Sequence, residues 1–249
     1  ISRVTIPKGA LVATAGPYLD ECPGDWDLLS ITGISPAAGD IYIARARTST
    51  HVKLIGVSST NVLESILNAF KEEGVGLSLV DGAYDRKASA SPIITQGTLL
   101  VVGGSMDVSL ERIVTKVEEL IHSFTLSVTS FQKAGRMAIS RKKVAFVQNE
   151  EVGETPVSSL FQMKSFQEWV RQRKLQCVAI PGALTDIMIR GLMEKKQYVT
   201  LVIPDATHLF VSLGLLRQFY RRGGAVEVIY PIQLIGVAYN PTSPEGYAF

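Results

Sequence analysis

The chain has 249 residues, a net charge of +2 and only 19% charged residues, a length that suits one large or two small α/β domains with a substantial core. Charge so sparse and balanced offers no basic or acidic tract to a nucleic acid or a lipid surface. The apolar runs are broken by Gly, Pro or charge before the roughly 20 residues that cross a bilayer, and Cys22 and Cys177 stand alone, against a zinc site or disulfide framework and in keeping with a reducing cytoplasm.

No secretory signal pattern opens the chain. Its first residue is Ile1 and not Met, so an upstream segment that was removed or left out is expected. In chain order, 10–15 is a short buried run, and 26–32 fits either a helical turn or a strand. Residues 41–47 alternate as a half-exposed strand and 52–57 make another. Thr60-Asn61 opens a helix to Lys71 with Val62, Ile66, Leu67 and Phe70 on one face and Gly74 as its stop.

The most informative stretch follows. In LSLVDGAYDRKASASP, residues 77–92, Leu77, Leu79 and Val80 read as a buried strand that delivers Asp81 to a sheet edge. The loop behind it holds Gly82, Asp85, Arg86, Lys87, Ser89 and Ser91. Ligands of open α/β sheets bind at such an edge, where an Asp commonly holds Mg²⁺ or a water beside a phosphate. Asp81 is therefore the candidate metal ligand, with Gly82, Arg86, Lys87, Ser89 and Ser91 as nucleotide or anion contacts. Asp-Gly is equally the composition of a plain turn.

A strand at 98–102 ends in Gly103-Gly104, and a helix over 109–122 carries an apolar stripe. Residues 127–141 lack periodicity and read as a linker. Strands at 144–148, 177–180, 198–203, 225–230 and 235–238 then alternate with helices at 165–173, 184–195 and 209–221. This alternation predicts an α/β fold, with mostly parallel sheets and helices on both faces, P-loop-NTPase-like or Rossmann-like. Residues 1–126 and 142–249 would be its two regions, unless they are one continuous domain.

What the strands deliver at their carboxyl ends is telling. Thr14 and Gly16, Gly103 and Gly104, Asn149, Gly182 after Pro181, Asp205 after Pro204, and Asn240 all follow apolar runs. Glycines admit close backbone approach and helix N-termini offer free N–H groups to an anion, so these positions are candidate lining for a phosphate-bearing or carboxylate ligand. Turn chemistry alone also enriches such loops in Gly, Asn and Asp.

The familiar motifs are missing. No G-x-x-x-x-G-K-[ST] loop and no G-x-G-x-x-G occurs, and no G-x-S-x-G elbow supports a hydrolase. Neither cysteine has a local base that would make it a nucleophile. His51, His122 and His208 lack metal-ligand spacing. Asp205 and His208 form either an acid–base pair or a helix cap. The tail NPTSPEGYAF, 240–249, either closes over the site or ends the domain as a proline turn.

The strings IPKGALVATA (6–15), GDIYIARARTST (39–50), LVDGAYDRKASASP (79–92) and NPTSPEGYAF (240–249) resemble the smaller reactivase subunit of lysine 5,6-aminomutase and its ornithine 4,5-aminomutase relatives. The likeness spans most of the chain, and DGA-x-DRK-x-SASP and NPTSP-x-G are its specific parts. It implies a cytoplasmic helper in amino acid fermentation, which uses ATP and Mg²⁺ to let a damaged cobalamin exchange. Its partners would be the aminomutase and an actin-like ATPase, and a homo-oligomer is compatible with it. A P-loop-like segment would precede the region shown, and its absence here puts autonomous ATP hydrolysis in doubt. No D-x-H-x-x-G string occurs to ligate cobalt, so no bound cobalamin is expected. The rival expectation is a small-molecule enzyme using the same strand-end crevice, with Asp205 and His208 as its acid–base pair.

Overall fold

The computed structural model describes residues 3–55, 57, 59–81, 87–104, 106, 107, 109–155 and 163–240, and the chain folds as two compact units, Ile1–Ser89 and Ala90–Phe249. The first unit contains β1 (Arg3–Ile6), β2 (Leu11–Ala15), α1 (Gly16–Leu19), β3 (Trp26–Ile31), β4 (Ile41–Ala46), β5 (Thr50–Lys53) and α2 (Thr60–Glu72). Every strand pairing in it is antiparallel: β1 with β5, and a three-stranded sheet in the order β2-β4-β3.

Period-two alternation divides that sheet between two small cores. Val12, Ala44, Ala46 and Trp26 pack with Ile6, Leu19 and Val52 on one face. Ala15, Ile41 and Ile43 meet Ile66 of α2 on the other. The ambiguous stretch at 26–32 resolves as a strand, because buried Trp26 anchors its start opposite Ala46.

The second unit opens with β6 (Thr98–Gly103), α3 (Leu110–Phe124), α4 (Gln132–Arg141), β7 (Ala145–Gln148), β8 (Glu151–Glu154), α5 (Met163–Arg171) and β9 (Cys177–Ala179). It continues with β10 (Leu184–Thr185), α6 (Asp186–Glu194), β11 (Thr200–Ile203), β12 (Leu209–Phe210), α7 (Leu213–Arg221), β13 (Ala225–Val228) and β14 (Leu234–Asn240). The central sheet runs β13-β11-β9-β7-β8. One face of it, through Val178, Ile180, Leu201, Ile203 and Val226, packs against Phe166, Met188, Ile189 and Phe219 of α5, α6 and α7. The opposite face receives Ala134 and Ala138 of α4.

Strand direction departs from the expected mostly parallel fold. β13, β11 and β9 are parallel, but β7 is antiparallel to both β9 and β8. The remaining parallel pairs are the two-stranded β14-β6 and the short β10-β12. The protein is thus a mixed α/β structure of small sheets, and neither a Rossmann nor a P-loop arrangement. Apolar periodicity reveals an element's type and buried face but carries no sign for direction. Direction here follows from connection length. Asn149 (φ 51°) and Glu150 (φ 67°) make a two-residue reversal between β7 and β8, and so short a link permits antiparallel pairing only.

Two further expectations change. The units part after Ser89, whereas the sequence placed a linker at 127–141; there Val128 bridges alongside Val228 and residues 132–141 form α4. The buried face of α4 is built from Ala134, Gly135 and Ala138, too small to register as an apolar stripe. Leu77–Asp81 forms no strand, and Leu77 and Leu79 are 78% and 88% exposed. An apolar alternation becomes a strand only when a neighbour supplies a ladder, and none of the described residues does so here.

Phe219 is fully buried where α7 meets the central sheet. Phe219→Ala is expected to lower the unfolding free energy by about 3–5 kcal/mol, read as a shifted urea midpoint at an unchanged slope.

Candidate functional site

β11 is buried from Leu201 to Ile203 and runs into Pro204, which has no N–H to continue the ladder, and then into Asp205. Beside it, the amides of Ile229 and Tyr230 both donate to the Pro204 carbonyl, at 3.2 and 2.9 Å, and fix the strand end. Asp205 is extended (φ −154°, ψ 175°) and caps a single turn of 3-10 helix, Ala206–His208. Its side chain is fully buried.

Four donors converge on that carboxylate. Oδ1 accepts the Thr207 backbone N–H at 2.8 Å, the Thr207 hydroxyl, and Nδ1 of His208 at 3.2 Å. Oδ2 accepts the hydroxyl of buried Ser91 at 2.9 Å. Burial pushes the carboxyl pKa up, but the hydrogen bonds from His208, Thr207 and Ser91, with the His208 charge, outweigh it and leave the pKa below the ordinary Asp range. Asp205 is therefore an ionised, buried anchor.

His208 is the outward-facing member, its side chain one-third exposed at 33%. A carboxylate only accepts, so the hydrogen bond to Asp205 sets the ring proton on Nδ1. In the neutral ring Nε2 then carries the lone pair, and among the described residues it has no hydrogen bond. The arrangement can accept a proton at Nε2, donate one from the cation, or hold a polar ligand group there.

The flanking loops shape this edge. After β9 the chain passes Pro181 and Gly182 to β10, and after β11 it reaches β12; the two short strands run parallel, Leu184 beside Leu209. A side chain built at Gly182 would meet no atom within 4 Å, so the edge is open there. The Asp186 carboxylate, however, accepts the Ser212 N–H at 3.0 Å just ahead of α7 and lies 3.5 Å from Arg190. That helix start is already supplied with a negative charge and does not solicit an anion.

The sequence-predicted residues fall into separate places. Ser91, Asp205 and His208 come together, while Gly182 is in the loop between β9 and β10. Gly103 and Asn240 are opposite each other where β6 and β14 end, and Gly104 follows. Buried Thr14 donates to the Lys53 carbonyl and accepts from the Ile55 N–H, a structural tie between strands. Gly16 donates to the Asp40 carbonyl at 3.0 Å, and a side chain there would strike the Tyr42 ring.

Asp81 is exposed and belongs to no sheet, so a Mg²⁺ role for it loses the strand-end position on which it rested. Gly82, Asp85, Arg86 and the Lys87 side chain lie outside the described residues, as do 241–249 of the tail. Ser89 is half-buried in the turn that ends at Ala90. Among the described residues no group of His, Cys, Asp or Glu is spaced to hold a metal ion, and no helix is long and apolar enough to cross a membrane. Cys177 is sealed in the core, its thiol pushed up to about 12 by burial and the Glu227 charge.

Two features escape a reading by motif. Thr207 supplies two of the four donors to Asp205, and the D-A-T-H order is the signal for it, since an Asp two residues before a Thr forms an Asx turn. The second is a groove of about 350 Å³ at α3 and α7, where His122 Nε2 lies 3.3 Å from the Tyr220 hydroxyl and Glu118 is 3.6 Å from Arg217. Burial and then the Arg217 charge hold His122 below its ordinary pKa. No family model, curated protein or solved structure matches the chain.

Asp205→Ala would leave Ser91 and the Thr207 N–H without their acceptor, and an expected loss of about 2–5 kcal/mol is measurable by urea unfolding at pH 7. The native carboxyl pKa is depressed. Its contribution is thus fully present above the unfolded value of about 4 and lost as pH falls through the native value. The gap between wild type and variant should narrow in acid, as pH falls below about 4.

Proposed function

We propose that this chain is a partner protein of a cobalamin-dependent aminomutase, carrying no mutase chemistry itself and acting in nucleotide-linked reactivation or chaperoning. The observation that carries the reading is the position of Ser91. The most specific string of the resemblance, DGA-x-DRK-x-SASP, runs to a buried serine bound to Asp205 at the end of a parallel strand. Ligands of α/β sheets commonly occupy such ends.

In this reading His208 meets the ligand and Asp205 relays its occupancy. A polar group that donates to Nε2, or a proton taken there, strengthens the Nδ1–H bond to Asp205 and redistributes the remaining donors on that carboxylate. Ser91 is one of them, so its loop senses the change. ATP and Mg²⁺ act jointly with an actin-like ATPase. Exposed apolar strands add support for a protein partner. Parallel strands are normally covered on both faces, yet Leu99, Val101 and Ile235 of the β14-β6 pair are 58%, 59% and 71% exposed.

The test adds the purified chain, the actin-like ATPase and ATP with Mg²⁺ to an aminomutase whose cobalamin has been inactivated. Turnover is expected to return only when chain and nucleotide are both present, and to return at least about tenfold more slowly with His208→Ala, the order of loss for one positioned polar group. No recovery in any combination, or full recovery with that variant, contradicts the proposal.

One observation favours a second reading. Asp205 holds His208 by Nδ1 and leaves Nε2 on the outward-facing ring, which is how an imidazole is set for acid–base work on a small phosphate- or carboxylate-bearing molecule. Turnover of a metabolite by the chain alone would select that reading, while retention of the mutase or the ATPase on the immobilised chain would select the first.

A further inference from the structure

The sheet of the first unit ends on a strand that is paired on one side only. Among the described residues β3 pairs with β4 alone, so its other edge turns backbone N–H and C=O groups outward. Beside that edge, β3, β4 and α2 enclose a groove of about 290 Å³. Ile43, Val62 and Ile66 give it an apolar lining, Ser30, Thr32 and Ser65 add hydroxyls, and among the described residues no charged side chain lines it.

Register shows how a further strand would sit there. Ser30 is opposite Ile43 and Ile31 opposite Tyr42, with one extra residue between Leu28 and Ser30. Ser30 and Ile43 both line the groove, so Ile31 is on the other face of the sheet. On β3, Leu28 and Ile31 are 61% and 60% exposed. An added strand would send alternate side chains into the groove and the others alongside Leu28 and Ile31. Apart from the bulge and Asp27, the strand WDLLSI carries none of the usual edge guards, having neither Lys nor Pro.

We propose that the β3 edge and the α2 groove take an extended, uncharged segment of a partner protein as an added strand, its main chain pairing with β3 and alternate apolar side chains filling the groove. The unpaired backbone calls for another backbone, and the uncharged lining calls for uncharged side chains. A second copy of this chain fits poorly, because β3 itself presents Ser30 to the groove side, too short to fill an apolar groove. The inference holds whatever ligand Asp205 and His208 receive.

The test pans a phage-displayed library of random dodecapeptides against the intact chain. Selected peptides are expected to alternate uncharged apolar residues and to slow amide hydrogen exchange at residues 28–31. Ile31→Lys, at an exposed position, and Ser65→Trp, which fills the groove, should each weaken their binding at least about tenfold with an unchanged Tm. A library that yields no binder, or binders indifferent to both substitutions, overturns the proposal. So does a chain that is dimeric in solution with β3 amides protected by its own copy.

Discussion

A single buried carboxylate organises the end of the central sheet. Asp205 sits where the buried carboxyl end of a strand runs out, and an unpaired charge there would be costly. The structure meets that cost by aiming four donors at it, from its own turn, from His208, and from Ser91, 114 positions earlier in the chain. Remove the carboxylate and the turn, the imidazole orientation and the Ser91 loop lose their common acceptor. The same interaction that closes the strand end therefore sets the orientation of His208, the one-third-exposed imidazole of the cluster.

How much of this was legible in the sequence depends on the kind of information asked for. Element types were readable wherever large apolar side chains recur: the stripe on α2, the runs of β9 and β11, the alternation of β4. Direction was not, because it resides in connections such as the Asn149-Glu150 reversal and not in periodicity. α4 was hidden by its small buried residues, Ala134, Gly135 and Ala138. β1 and β8 were missed as well. The stretch at 77–81 shows the converse: an apolar alternation with nothing to pair against remains outside any sheet, however strand-like its composition.

The site was legible in its local part. Asp205 and His208, three positions apart after a strand-ending proline, announce a turn in which carboxylate and imidazole meet. Ser91 had also been singled out, but as a nucleotide or anion contact in the loop behind Asp81. Its partner proved to be Asp205, a pairing across 114 positions that no local spacing encodes. Thr14 and Gly16, chosen for following a strand, serve the packing of the first unit instead. Both exposed apolar surfaces, on β3 in the first unit and on the β14-β6 pair in the second, were invisible for a related reason. Exposure of an apolar residue is a property of the whole fold, not of the residue.

The account stands on the hydrogen bond from His208 Nδ1 to Asp205, and the most direct measurement is the nitrogen chemical shifts of the His208 imidazole by NMR in the intact chain. It predicts, for the neutral ring, a proton on Nδ1 and a bare Nε2, a tautomer that Asp205→Asn abolishes or reverses. A neutral ring protonated on Nε2, or a freely exchanging mixture of the two forms in the wild-type chain, would contradict it.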